Sequence, residues 1–542
     1  MRRIPVSTLA RRGLPAALSI LLAACLAAPV YALARVARSA SRSAGTPLVQ
    51  QAKLTGGGEV GYAAFGAYLA LSGDGETALA TGIGDEPQPT SGEGSVWAFA
   101  HSGASWAQQG PKFKGGEMTE LGQLGRGVAV SADGNMAVVL GYPGGIGAET
   151  SVWTFTRSGS SWVQSGARLE PDESPFPPRD GISFGESIAL SADGQTMLIG
   201  GLYEEQLGKD LPRKFWSVAF VYKRSGSGWT QQGSFLRGDT ENEEAEPAQV
   251  ALSADGNTAM MGNYFSGEEA GDAWVFTRTG EAWAQQGGEL KGGGEEVGAG
   301  RFGEALALSS DGDTALIGAP GDDGFKGAAF VLRRSGGVWT QPGSKLTASD
   351  ERPGTKGEGA RFGAAVSLSA DGEQGLIGGP SDHHFKGAVW LFGRTGSSWA
   401  QEGAKMTAKD AVGNADFGQA VSLSADGLTA LIGGPHDDGL AESPEALGAA
   451  WVFAAPAPVV KRVSPRKGPQ AGGTTVTIKG QGLAEASAVE FGTSAATSFT
   501  VLSPTEISAA SPPGSAGAVD VTVATPNGTS AVSAKDRFTY AP

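Results

Sequence analysis

In the stretch Arg301-Phe-Gly-Glu-Ala-Leu-Ala-Leu-Ser-Ser-Asp311-Gly-Asp-Thr-Ala-Leu-Ile-Gly-Ala-Pro320, two apolar runs flank the turn Ser309-Ser-Asp-Gly312. Short aliphatic runs bounded by Gly, Asp, Ser and Pro read as strands, and Asp-Gly supplies the positive φ of a tight hairpin. A third run, Ala328-Ala-Phe-Val-Leu332, and a fourth from Trp339 to Leu346 complete a four-stranded unit. The turn recurs as Ser-x-Asp-Gly seven times, with its aspartates at Asp74, Asp133, Asp193, Asp255, Asp311, Asp371 and Asp426. The intervals are 59, 60, 62, 56, 60 and 55 residues, so one supersecondary unit is copied seven times. One antiparallel sheet cannot bury both faces alone. Seven stacked copies therefore predict an all-β fold, a seven-bladed β-propeller closed so that no long edge is exposed.

Closure is written into the ends of the repeat. The fourth-strand pattern Trp-x-Gln-x-Gly starts at Trp106, Trp162, Trp229, Trp283, Trp339 and Trp399, and the seventh copy stops at Trp451-Val-Phe453 without it. Leu48 to Leu54 aligns with the missing strand, so the N-terminal segment is expected to complete the last blade. Third-strand positions hold Trp97, Trp153, Trp274, Trp390 and Trp451, leaving Trp216 as the one tryptophan outside both rows. A residue recurring in blade after blade is most simply packing, not a sugar platform.

Composition agrees with a turn-rich β protein: 542 residues, 86 of them glycine, with 40% hydrophobic residues. Arg2, Arg3, Arg11 and Arg12 precede an apolar run from Leu14 to Val30, and Ala32-Leu-Ala34 offers a small-x-small cleavage site, the layout of an export signal over residues 1–34. The only cysteine, Cys25, sits in Leu22-Ala-Ala-Cys25, which resembles a bacterial lipobox, so a lipid anchor at Cys25 and soluble secretion both stand open. The formal net charge is −15 and becomes more negative once those four arginines are removed, which repels nucleic acid and anionic membranes. The expected protein is extracellular and monomeric, touching a membrane only through such an anchor.

The Phe-Gly pairs at 65–66, 184–185, 302–303, 362–363 and 417–418, with Gly318-Ala-Pro320 and the Val-Phe strands, resemble the FG-GAP repeat of integrin α-subunit propellers and their bacterial relatives. The pair weakens to Leu124-Gly125 in the second copy and gives way to Glu246-Pro247 in the fourth. The resemblance implies Ca²⁺ in the first hairpin, on a pattern whose ligand positions fall here on Ala307, Ser309, Asp311 and Ala315. Alanine cannot coordinate a hard cation that needs six or more oxygens, so these Asp-Gly pairs read as turn formers.

Further along, Val463-Ser-Pro465, Gly472-Gly-Thr-Thr-Val-Thr-Ile478, Val489-Glu-Phe-Gly492, Ser511-Pro-Pro-Gly514, Val519-Asp-Val-Thr-Val523 and Phe538-Thr-Tyr540 are similar to the IPT/TIG domain, which implies an immunoglobulin-like β-sandwich. The organisation is then a signal (1–34), a flexible linker (35–45), the propeller (46–455), a Pro-rich linker (456–458) and the sandwich (459–541).

Strand order puts the Ser-x-Asp-Gly turns on one rim. Longer, variable loops occupy the other: 82–94, 201–214, 319–327, 379–387 and 434–448, with crossings such as 169–182 and 236–248. Variable loops on a rigid ring are where propellers recognise partners. There Asp322-Asp323, Asp382-His383-His384 and His436-Asp437-Asp438 fall on successive blades, as candidates for Ca²⁺ or another divalent cation or as plain solvated loops. No nucleophile elbow or zinc-helix motif is present. The expectation is a non-catalytic binding or adhesion protein for an extracellular protein or glycan, against a polysaccharide-active enzyme on a propeller scaffold or a structural envelope module.

Overall fold

A computed structural model describes residues 47–542 apart from 86–92, 103–104, 120–121, 145–148, 173–179, 207–212, 240–245, 353, 355–358, 439–445 and 526. The export signal, Cys25 and the linker 35–45 lie outside the described residues. Seven antiparallel sheets follow one another along residues 49–454, each begun by the strand before a Ser-x-Asp-Gly turn. Blade 5 is representative, with strands Ala305–Leu308, Thr314–Ala319, Ala328–Ser335 and Val338–Thr340. Blade 7 takes Ala420–Leu423, Thr429–Gly434 and Ala449–Ala454 from its own copy and Val49–Leu54 from the start of the ring. That borrowed strand runs antiparallel to the third, with Lys53 opposite Trp451 and Leu54 opposite Ala450.

Blade 3 departs from the pattern. Its middle strands run on as Thr196–Gln206 and Arg213–Ser225, and Leu236–Arg237 adds a fifth strand beside Val218 and Ala219. The stretch 201–214, expected as a loop, is therefore largely a hairpin that prolongs the sheet, with Tyr203 opposite Trp216.

The recurring motifs have physical roles. Phe65, Phe362 and Phe417 meet the third-strand Trp97, Trp390 and Trp451 edge-on, with ring centroids 5.3, 5.4 and 5.4 Å apart. Blades 3 and 5 repeat the contact with phenylalanine, Phe184 on Phe220 and Phe302 on Phe330. Edge-to-face pairs of this kind are worth about 0.5–1.5 kcal/mol beyond their burial. The glycine after the phenylalanine is fixed by the preceding blade: a Cβ on Gly363 would lie 2.2 Å from the Ala328 carbonyl oxygen. In Trp-x-Gln-x-Gly the glutamine amide donates back to the glycine carbonyl, as Gln164 does to Gly166 at 3.1 Å and Gln401 to Gly403 at 2.8 Å. The five third-strand tryptophans are buried to 1% exposure or less, so their role is packing.

The C-terminal module is a two-sheet sandwich. One sheet orders Val459–Ser464, Thr475–Gln481, Glu506–Ala510 and Ser498–Ser503. The other is built on Arg537–Ala541, Gly517–Thr525 and Ala488–Phe491. Val476, Ile478, Phe491, Val521, Val523 and Phe538 fill the space between them.

Removing residues 47–54 would strip the outer edge of Ala449–Ala454 and leave Asp437, which pairs with Lys53, buried without its cation. A loss of about 3–5 kcal/mol is expected from the broken pair alone, together with self-association through the open edge. Denaturant unfolding and light scattering read the two effects. An unchanged, monomeric protein would show that the ring does not depend on this strand.

Candidate binding face

At the loop-rich rim a buried aspartate recurs where the second strand leaves the sheets of blades 1, 5, 6 and 7. Asp322 accepts the Val297 amide at 2.6 Å and Lys345 Nζ at 2.5 Å. Asp382 accepts the Arg352 amide at 2.6 Å and Lys405 Nζ at 2.5 Å. Asp437 accepts the Val412 amide at 2.7 Å, with Lys53 Nζ 2.5 Å from its other oxygen. Asp85 does the same in blade 1 with the Val60 amide and Lys112. Each carboxylate thus fastens the loop to the incoming crossing and to a lysine just past the fourth strand, or on it in blade 7. In blade 7 the lysine comes from the borrowed N-terminal strand, so the same ion pair helps seal the ring.

These contacts decide where the eight candidate cation ligands stand. Asp322, Asp382 and Asp437 are at most 1% exposed and already neutralised by lysine. Asp323 and Asp438 point outward, and Asp323 pairs with Lys326 at 2.7 Å. His383 and His384 stand side by side with ring centroids 5.7 Å apart. His436 precedes its buried aspartate, whereas His383 and His384 follow theirs, and it lies 2.6 Å from Asp416, whose hydrogen bond raises its pKa. The eight side chains do not converge. Among the described residues no group of three or more His, Cys, Asp or Glu could hold a metal, so this set does not fit Ca²⁺ or another divalent cation. The Asp-Gly aspartates are likewise occupied, each accepting its own serine hydroxyl, as Asp311 does from Ser309 at 2.5 Å.

What the rim does present is apolar. Phe325 and Phe385 stand three residues after the buried aspartates of blades 5 and 6 and two before a glycine; in blade 7 Leu447 stands one position further on, directly before Gly448, where blades 5 and 6 have Lys326 and Lys386. They are 42%, 44% and 43% exposed, although such side chains ordinarily go inside. Their backbone cannot retract. The Phe325 carbonyl accepts the Arg361 amide, that of Phe385 the Asp416 amide, and that of Leu447 the Phe65 amide, each on the next blade. Val60, Val297 and Val412 on the crossings are exposed as well. Phe325 and Phe385 also adopt φ of 67° and 63°, a left-handed conformation unfavourable for a bulky side chain. The sequence signal was an aromatic residue between a buried Asp and a Gly in two successive copies, and it was overlooked beside the histidines.

A second carboxyl lies beside three of the staples, on Glu59, Glu296 and Glu351, each directly before the residue whose amide the aspartate takes. Burial pushes Glu59 up to about 7, and the charge on Asp85 adds to this. Burial does the same for Glu296, also to about 7, with Asp322 adding. Glu351 is raised by burial as well. A carboxyl that keeps its proton longer when folded opposes folding as pH rises from 4.5, its ordinary value, to about 7. The Glu59→Gln/Glu296→Gln protein should therefore match the parent at pH 4 and exceed it in stability at pH 8, with the gain growing between. Denaturant unfolding across that range tests it, and parallel curves would refute it. Lys405→Met, which leaves Asp382 buried alone, should cost about 3–5 kcal/mol by the same measurement.

Residues 399–453 match the family model of the FG-GAP repeat, and residues 458–540 that of the IPT/TIG domain. No curated protein matches the sequence. Among solved structures, the periplasmic gluconolactonase of Pseudomonas aeruginosa is similar at 17% identity over 63% of this chain and 85% of that one, with a TM-score of 0.40. The GH74 xyloglucanase from Xanthomonas campestris is similar at 15% identity over 81% of this chain and 60% of that one, also with a TM-score of 0.40. The chain is a seven-bladed β-propeller that matches the FG-GAP repeat over residues 399–453, followed by an IPT/TIG domain of immunoglobulin-like fold over residues 458–540.

Proposed function

We propose that this protein is an extracellular, non-catalytic binding or adhesion protein that offers the loop-rich rim of blades 5 to 7 to a protein or glycan partner. The observation that carries the reading is the repetition of Phe325 and Phe385, exposed at one position of two successive blades on a backbone pinned to the neighbouring blade, with Leu447 exposed one position on in blade 7. Apolar side chains repeated in one place on a rigid ring form a patch of the kind that marks interaction sites. The joining of FG-GAP repeats to an IPT/TIG domain fits the same reading, since both modules are typical of extracellular proteins. Rigidity supports affinity, because side chains held in place lose little freedom on binding.

The test is an array of extracellular proteins and glycans probed with the parent and with the Phe325→Ser/Phe385→Ser protein. Both side chains are solvent-facing, so thermal unfolding should be unchanged or slightly improved. Capture of the partner should fall by about 30-fold or more, the loss expected when anchoring aromatics are removed. Equal capture by both proteins, or capture of nothing by the parent, would overturn the reading.

A further inference from the structure

We infer that a groove on blades 3 and 4 binds a carboxylate-bearing glycan, with the Arg237 guanidinium receiving the carboxylate and Glu205 receiving sugar hydroxyls. The groove has a volume of about 490 Å³ and is lined by Tyr203, Glu205, Phe235, Arg237, Trp283 and Gln285 among others. That volume falls in the range of about 300–1,000 Å³ in which small-molecule sites lie. It arises where the repeat is broken, because the long hairpin of blade 3 carries Tyr203, Glu205 and Trp216 and the extra strand carries Arg237.

Trp216, the tryptophan that belongs to neither packing row, organises the polar groups. Its ring lies 4.2 Å from Arg237 Cζ, and its Nε1 donates to Glu205 Oε2 at 3.3 Å. Stacking on an indole fixes the plane of a guanidinium and leaves its forked edge available for a bidentate carboxylate. Arg237 is exposed, and among the described residues its guanidinium makes no hydrogen bond or ion pair. Tyr203 completes the cluster, its hydroxyl donating to Asp180 at 2.6 Å. A strong donor and a strong acceptor therefore face one groove with aromatic walls. A uronate satisfies all three, with its carboxylate, its hydroxyls and its C–H faces. An acidic peptide would meet Glu205 as a like charge. It could not add as a strand here either, because Leu236–Arg237 already occupies the edge beside Val218 and Ala219.

This inference rests on the binding reading above in naming a glycan, yet it lies on a different part of the ring and can fail separately. Calorimetric titration of the full-length chain with trigalacturonate, the neutral galactose trimer of the same linkage and hexaglutamate tests it. Trigalacturonate should bind, the neutral trimer at least tenfold more weakly, and hexaglutamate no better than the neutral trimer. Arg237→Gln should bring trigalacturonate down to the neutral level, and Arg237→Lys, which keeps the charge without the fork, should fall between. Arg237 is exposed, so unfolding curves of both variants should overlay the parent's. No binding of trigalacturonate, equal binding of both trimers, tighter binding of hexaglutamate, or indifference to Arg237→Gln would each overturn the inference. The Phe325→Ser/Phe385→Ser protein should bind trigalacturonate as the parent does, so failure at the groove and failure at the rim are separable.

Discussion

Blades 2 to 7 are each tied to the next by a backbone hydrogen bond from the second residue of the Ser-x-Asp-Gly turn, and much else is arranged around that belt. Ala132 donates to the Ala192 carbonyl, Ala192 to Ala254, Ala254 to Ser310, Ser310 to Ala370, Ala370 to Ala425, and Ala425 back to Gly73, at 2.8–3.1 Å. The rest of the tetrapeptide serves this contact. The serine hydroxyl caps the aspartate and accepts the amide opening the next strand, as Ser309 does from Thr314 at 2.9 Å. The glycine provides a positive φ and leaves room for the preceding blade: a Cβ on Gly372 would lie 2.8 Å from the Thr314 side chain. Every residue of the turn is thus engaged within the ring, which is why an aspartate repeated seven times is not a ligand site.

With one rim fixed this way, the other carries the irregularity. Among the described residues, the thirteen non-glycine positions with positive φ lie on crossings and loops of the opposite rim, from Ala64 through Asp323, Phe325, Arg361, His384 and Phe385 to Asp438. Such conformations cost of order 1–3 kcal/mol each and persist only where the surroundings over-determine them. The buried aspartate–lysine staples and the carbonyl-to-amide bonds between blades supply that determination. Among the described residues this strain is concentrated on one face of the ring, the face proposed above for binding.

The architecture was legible because its signals repeat. Seven turns, six Trp-x-Gln-x-Gly strands and one missing strand left little freedom, and Val49–Leu54 lies where the vacancy required. The rim was less legible, for two physical reasons. Whether an acid is buried and neutralised depends on a lysine 23 residues on, as with Asp322 and Lys345, and in blade 7 on one some 380 residues earlier. Histidine density also drew the eye to His383, His384 and His436, although the three do not share a register position. The blade 3 groove had a single trace in the sequence, a tryptophan out of place, and only the lengthened hairpin gave Trp216 its neighbours.

Blades 1 and 4 show what the buried carboxylate is for. In blade 1 the loop carries Asp85, and Ser95 at the start of the third strand donates to it at 2.6 Å. In blade 4 the residues are exchanged: Ser266 holds the loop position and donates to Asp272 on the strand. A basic partner follows the carboxylate in both, Lys112 with Asp85 and Lys291 at 3.6 Å from Asp272. A metal ligand is tied to its position, since moving an oxygen across the loop breaks a coordination sphere set to tenths of an ångström. A staple needs only one negative charge, one hydroxyl and one lysine in the same gap, from whichever side each arrives. The exchange satisfies the second requirement and violates the first, so the acids at this level of the ring are there to hold loops.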